Sequence, residues 1–270
     1  MRSIRFRSYR DGTLRHRRVM RSLAALFLIG ALFASGCERE RQERKDMSPA
    51  SSVPNYVNNV AEPRVASAGK PPLLVLLHGI GADENDLFPI GPMLDPRLKV
   101  VSLRAPQPYV MGNAWFNIDF KPDGTVAPDV AGAKSALAGL AAWLAAAPAK
   151  FGTDPARTYV LGFSQGSMMS LGLLSTVPER LAGVIALSGR DPAGLFELTA
   201  EPSAVASVPL FAAHGLYDDL LPVTNGRAIR DRFQGTSKDF TYREYPVAHG
   251  VSEDEIADIA AWIRARLDGS

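Results

Sequence analysis

Gly162-Phe163-Ser164-Gln165-Gly166 is the sharpest chemical signal in this sequence. It falls where an apolar run of strand length, 158–163, meets a helical pattern beginning near Gln165. A Gly-x-Ser-x-Gly turn at such a junction is too tight for side chains at its glycines, and its strain presents the serine hydroxyl at the carboxyl end of a sheet. A serine hydroxyl is barely nucleophilic at neutral pH and needs a base. The chain has four histidines: His16, His78, His214 and His249. His249 stands in the loop between the run 240–245 and the last helical pattern, again at the carboxyl end of a strand, where ligands bind in open α/β sheets. The base in turn needs an acid to hold one tautomer. Asp218 and Asp219 both follow the run 208–213, and one of them is placed to cap a helix starting near Val223.

Leu77-His78-Gly79-Ile80-Gly81-Ala82-Asp83 completes the set, directly after the run 73–77. Its glycines let the loop turn back toward the serine, so that the backbone amides of Ile80 and Gln165 become the expected oxyanion donors. His78 reads as shaping this loop rather than reacting. The expected chemistry is acyl transfer from a small-molecule carboxylic ester through an acyl-enzyme on Ser164, without metal or cofactor. The His-Gly pairs after strands lack clustered ligand spacing and no HExxH is present, which disfavours a metal-dependent hydrolase. A peptidase or another acyl hydrolase would share the triad, and a non-catalytic binding module would keep only the fold.

These residues need a scaffold that brings strand ends to one rim. The runs 73–77, 99–103, 158–163, 183–188, 208–213 and 240–245 read as strands, mostly continuously apolar as in a parallel sheet covered on both faces. Helical patterns lie between them, including an Ala-rich stretch at 129–147. The last, 253–267, opens with the capping-box spacing of Ser252 and Glu255. Strands alternating with helices predict an α/β fold with a mostly parallel central sheet and helices on both faces. The order serine, aspartate, histidine is that of the α/β-hydrolase fold.

The folded domain is expected at 71–270, behind a flexible linker at 38–70 in which a part near Tyr56–Ala66 could add an edge strand. Residues 1–37 read differently. Eight arginines precede Cys37, the apolar run 23–34 is too short to span a bilayer comfortably, and Ser35 and Gly36 follow it. This is the pattern of a secretory signal peptide, for which either Met1 or Met20 serves as the start. Cys37 is the single cysteine, so no intramolecular disulfide forms. Its setting, Ala-Ser-Gly-Cys, resembles the lipobox of bacterial lipoproteins, although Ala34 stands where leucine is more usual. That resemblance implies lipidation of Cys37, a membrane anchor and an extracytoplasmic, periplasmic location. Residues 38–270 carry 22 basic and 27 acidic side chains, so the formal +2 of the whole chain belongs to the leader. A nucleic-acid surface finds no support in that balance.

LHGIGADENDL, GFSQGSMMSLGLL, LSGR, HGLYDDLLP and AHGVS, collinear over residues 71–268, resemble the phospholipase/carboxylesterase family, the branch that includes acyl-protein thioesterases. The resemblance implies a cofactor-free α/β-hydrolase acting on esters, thioesters or lysophospholipids. It matches Ser164, Asp218 and His249 to the triad, which favours Asp218 over Asp219, and Ile80 and Gln165 to the oxyanion donors. Ala114-Trp115-Phe116 resembles a segment near the family's active site, so that Trp115 and Phe116 either wall an acyl pocket or serve as core aromatics. Arg190 departs from the apolar or aromatic residue more usual after LSG.

Overall fold

The computed structural model describes residues 53–67, 69–120, 126–196 and 199–269. The expected leader, Cys37 and the linker as far as residue 52 lie outside the described residues. The elements run β1 (Asn58–Ala61), β2 (Leu73–Leu77), α1 (Gly91–Leu94), β3 (Lys99–Leu103), β4 (Gln107–Tyr109), β5 (Gly112–Ala114), β6 (Ile118–Phe120), β7 (Val126–Pro128), α2 (Val130–Phe151), β8 (Thr158–Phe163), α3 (Gln165–Thr176), β9 (Gly183–Leu187), α4 (Pro202–Ser207), β10 (Leu210–Gly215), α5 (Thr224–Phe233), β11 (Phe240–Tyr245) and α6 (Glu253–Asp268).

Seven strands form one sheet in the order β1-β3-β2-β8-β9-β10-β11. All neighbours are parallel except β1, which runs antiparallel along β3. Side chains alternate across a strand, and the core divides accordingly. Leu73, Val75, Leu77, Val160, Val184 and Ala212 pack with α2 and α3 on one face. Leu74, Leu76, Leu161, Ile185, Phe211 and Ala213 pack with Ile259, Trp262 and Ile263 of α6 on the other. Two-sided burial is why these strands read as unbroken apolar runs.

The sheet begins inside the stretch expected as linker. Tyr56 is buried, with its ring 6.0 Å from that of Trp115, and Asn58 to Ala61 pair with β3. A four-residue strand carrying two asparagines gives little apolar signal, so the folded domain starts before residue 71. The strand expected at 208–213 lies at 210–215, which takes His214 into the sheet. Two antiparallel hairpins, β4–β5 and β6–β7, follow β3 and are too short and polar to show as periodic patterns.

Local chemistry sets the helix ends. Asp129 caps α2 by accepting the Gly132 amide, and Gly152 closes it at φ 67°, the left-handed conformation glycine tolerates. Ser252 and Glu255 form the expected capping box on α6: the Ser252 Oγ accepts the Glu255 amide and the Glu255 Oε2 accepts the Ser252 amide. Glu255 is 1% exposed, its Oε1 lacks a partner, and burial pushes its carboxyl up to about 8. A group held protonated in the fold but ionised in the open chain subtracts stability as pH climbs from the unfolded value toward about 8. Glu255→Gln keeps an acceptor for the cap and removes the ionisation. Its melting temperature should therefore gain on the wild type between pH 5 and pH 8.5, and a difference that does not vary with pH would refute this account.

Candidate active site

The candidate site lies at the carboxyl ends of β2, β8, β9, β10 and β11, and its centre is the turn from β8 into α3. Ser164 adopts φ 55°, ψ −115°, a strained conformation for a residue with a side chain. The flanking glycines are demanded by close backbone approach. A Cβ at Gly162 would fall 2.1 Å from the Gly166 carbonyl oxygen, and one at Gly166 would fall 2.0 Å from that of Leu77. The turn is tied to the sheet by the Ser164 amide, which donates to the Leu187 carbonyl at 2.9 Å.

The loop after β2 lies directly against the serine. A Cβ at Gly79 would be 3.2 Å from the Ser164 Cβ and 3.3 Å from the Phe163 ring. His78, fully buried, holds this loop. Its Nε2 accepts the Ala105 amide at 3.0 Å, so the proton sits on Nδ1, which donates to the Gly79 carbonyl at 2.7 Å. Burial lowers the pKa of the ring and keeps Nε2 bare. Hydrogen bonds between Gly81 and Asn113 and between Asn113 and Ala82, both 2.8 Å, fasten the loop to the β4–β5 hairpin. Among the described residues, neither the Ile80 nor the Gln165 amide is engaged in an internal hydrogen bond. Gln165 opens α3, where helical amides have no partner within the helix.

Gln165 does more than its motif position suggests. Its Oε1 accepts the Trp115 amide at 2.8 Å and its Nε2 donates to the Phe116 carbonyl at 2.7 Å. Trp115 Nε1 donates to the His78 carbonyl at 2.9 Å. Trp115 and Phe116 are 0% and 1% exposed, so both rings sit in the core; the Trp115 indole and the backbone of the two residues tie the loop after β2 to the elbow helix. The sequence had no signal for this role of Gln165, since nothing local pairs it with residues fifty positions away.

Asp218 and His249 come together from separate loops. His249 Nδ1 lies 2.7 Å from Asp218 Oδ2, and a carboxylate can only accept, so Nδ1 carries the proton and Nε2 is left free. The loops are laced together: the Leu216 amide donates to the Tyr245 carbonyl and the Tyr217 amide to that of Val247. A Cβ at Gly215 would lie 2.4 Å from the Ala248 carbonyl oxygen. Asp218 is buried, and that burial alone would push its carboxyl up. The hydrogen bonds from His214, His249 and the Leu221 amide outweigh it and hold the group well below the ordinary carboxylate range. Asp219 is exposed, and neither aspartate caps α5, whose N-cap is Val223 without a side-chain bond.

The acid–base link is closed, while the Ser164 hydroxyl makes no hydrogen bond to the imidazole among the described residues. The two meet through the chain: the ring of Phe163 lies 4.9 Å, centroid to centroid, from that of His249. Contacts of this kind are commonly long in unliganded sites and shorten with substrate. Arg190 stands exposed just past Gly189, where a Cβ would come within 2.4 Å of the Ser167 Oγ and 3.3 Å of the Ser164 carbonyl oxygen. Among the described residues there is no cluster of three or more His, Cys, Asp or Glu that could hold a metal.

Comparison with known proteins speaks to family and fold. A family model described as Phospholipase/Carboxylesterase matches residues 59–267. Acyl-protein thioesterase 1 of Candida albicans is 27% identical over 212 residues, covering 71% of this chain and 90% of its own. Carboxylesterase SOBER1 of Arabidopsis thaliana is 28% identical over 120 residues, 44% of this chain and 53% of that relative's length. The crystal structure of esterase PE8 superposes with a TM-score of 0.66 at 28% identity, over 78% of this chain and 99% of that one.

Because the elbow glycines meet backbone atoms that cannot move aside, Gly166→Ala should cost at least about 3 kcal/mol, the upper end of ordinary overpacking. Urea denaturation measures it, and a loss under about 1 kcal/mol would show that the turn has room.

Proposed function

The chain belongs to the phospholipase/carboxylesterase family, and from that premise we propose that this serine hydrolase of carboxylic esters works through Ser164 as nucleophile, His249 as base and Asp218 as its acid. The observation that carries the assignment is the 2.7 Å bond between His249 Nδ1 and Asp218 Oδ2, formed across 31 residues of sequence at the rim where Ser164 is strained into view.

Since Asp218 keeps the proton of His249 on Nδ1, Nε2 takes the Ser164 proton as Oγ attacks the ester carbonyl. The tetrahedral oxyanion forms beside the amides of Ile80 and Gln165, each worth on the order of 10²–10³ in rate. The imidazolium then protonates the leaving alcohol. The acyl-enzyme is cleared by a water that His249 activates in the same way, and the acid product leaves with the serine restored. Thioesters and lysophospholipids react by the same steps, with a thiol or a glycerophosphoryl alcohol as leaving group. The likeness to acyl-protein thioesterase 1 of Candida albicans supports the thioester among these.

The leader pattern adds a location. Cleavage before Cys37 and acylation of its thiol and new amino terminus would hold the hydrolase at an extracytoplasmic membrane face, since more than one acyl chain gives a stable anchor. The sequence order of arginines, apolar run and small residues supports this.

Two experiments test these readings. Ser164→Ala should lose both turnover of a short-chain nitrophenyl ester and covalent labelling by a fluorophosphonate, with its melting temperature retained; residual turnover above a hundredth of wild type would remove Ser164 from the mechanism. Expressed in a bacterium, the full chain should partition with membranes and Cys37→Ser should appear in the soluble extracytoplasmic fraction. Identical partitioning of the two would dismiss the lipid anchor.

A further inference from the structure

His214 has no part in the mechanism above, yet it is a second imidazole on the triad carboxylate. It is fully buried on β10, four residues before Asp218. Its Nε2 lies 2.7 Å from the Leu221 carbonyl oxygen, and because a carbonyl only accepts, Nε2 bears the ring's proton. The same Nε2 lies 3.4 Å from Asp218 Oδ2, the oxygen that receives His249. The other oxygen, Oδ1, accepts the amides of Leu220 at 3.0 Å and Leu221 at 2.8 Å. Leu221 thus donates to one side of the carboxylate and accepts from the imidazole on the other, closing a ring of polar contacts around Asp218 in which the His214 N–H donates to Leu221 and leans on Oδ2 at 3.4 Å.

We propose that His214 is a positioning residue for the esterase: it presents one fixed N–H to Asp218 and Leu221 and so holds the carboxylate in the orientation from which it orients His249. This rests on the triad assigned above.

Three further observations separate this role from ordinary core packing. First, the ring has a single usable edge. Nδ1 is buried with no partner, and Gly226 of α5 leaves no room there, since a Cβ at that glycine would come within 2.7 Å of Nδ1. A second proton, on Nδ1, would therefore be a buried donor without an acceptor, which is costly. Second, the charged groups around the ring are otherwise engaged. Glu244, its register neighbour on β11, is bonded to Arg227 of α5 at 2.9 Å through both oxygens and accepts the Tyr242 hydroxyl at 3.0 Å. Asp218 is the carboxylate within reach. Third, the arrangement leaves the two imidazoles unequal. His249 is partly exposed with a free Nε2, whereas His214 is sealed, so a proton arriving from Ser164 resides on His249 alone.

Three variants test this. Glutamine places an amide N–H₂ where Nε2 stood, asparagine places it one atom short, and leucine removes the donor. His214→Gln should keep kcat within about threefold. His214→Asn and His214→Leu should lower kcat by about ten- to a hundredfold, the effect of one hydrogen bond to a charged group, with KM for the nitrophenyl ester changed less than twofold. Melting temperatures are read alongside, and the asparagine variant carries the test should leucine unfold the chain. Equal kcat in all three variants, or a loss that glutamine does not rescue, would each overturn the proposal. A wild type that neither turns over the ester nor labels with fluorophosphonate would instead sink the triad reading itself.

Discussion

A methyl group at residue 166 would sit 2.0 Å from the Leu77 carbonyl oxygen, and one at residue 162 would sit 2.1 Å from that of Gly166. The first turn of the elbow helix is therefore pressed backbone to backbone against the end of its own strand and the end of the neighbouring one. That approach brings the Ser164 hydroxyl, the Gln165 amide and the loop bearing Ile80 to one point. It also forces Ser164 into the conformation at φ 55°, a strain on the order of 1–3 kcal/mol that persists only where surroundings over-determine it. Here the surroundings are the two apolar layers flanking the sheet and the Ser164–Leu187 backbone bond. The fold holds the turn that carries the serine by backbone packed against backbone.

The acid is fixed by a different means. A buried carboxylate is expensive unless hydrogen-bonded, and Asp218 meets that condition with two amides and two imidazoles drawn from the 214–221 stretch and the loop after β11. Those same bonds keep it ionised, and an ionised acceptor dictates which nitrogen of His249 carries the proton. Electrostatics and tautomer selection follow from one set of contacts. The price of the arrangement is local: it needs the stretch from β10 to α5 to be spent on one side chain.

How much of this was legible beforehand depends on the range of each interaction. The parallel sheet, the elbow, the capping box on α6 and the helix over α2 all rest on contacts a few residues apart or on two-sided burial, and the pattern of apolar runs carries that information directly. The bounds of the sheet's first strand were not legible: an edge strand was expected near Tyr56–Ala66, but Asn58 to Ala61 pair through backbone and bring one buried aromatic, Tyr56, from a polar stretch that carries no apolar pattern. Nor was the clamp in which Gln165 grips Trp115 and Phe116, since a glutamine in a motif looks the same whether its side chain is free or bonded fifty residues away. His214 shows the same limit. As one histidine of a His-Gly pair it reads as loop punctuation until the sheet is extended by two residues and its ring turns out to face Asp218.

The distribution of rigidity also accounts for the one contact that is open. Ser164 is held by backbone, Asp218 by its ring of contacts and the loop after β2 by His78, Asn113 and Trp115. His249 alone is attached to a single partner on one side and is free on the other, resting against the Phe163 ring. A base must release a proton to the leaving group and then recover one from water, so it profits from a small swing about a fixed pivot. The nucleophile and the oxyanion donors, which must match a developing charge, gain from having no freedom at all. The imidazole is thus the natural place for the remaining adjustment, with its bond to Asp218 as the fixed end.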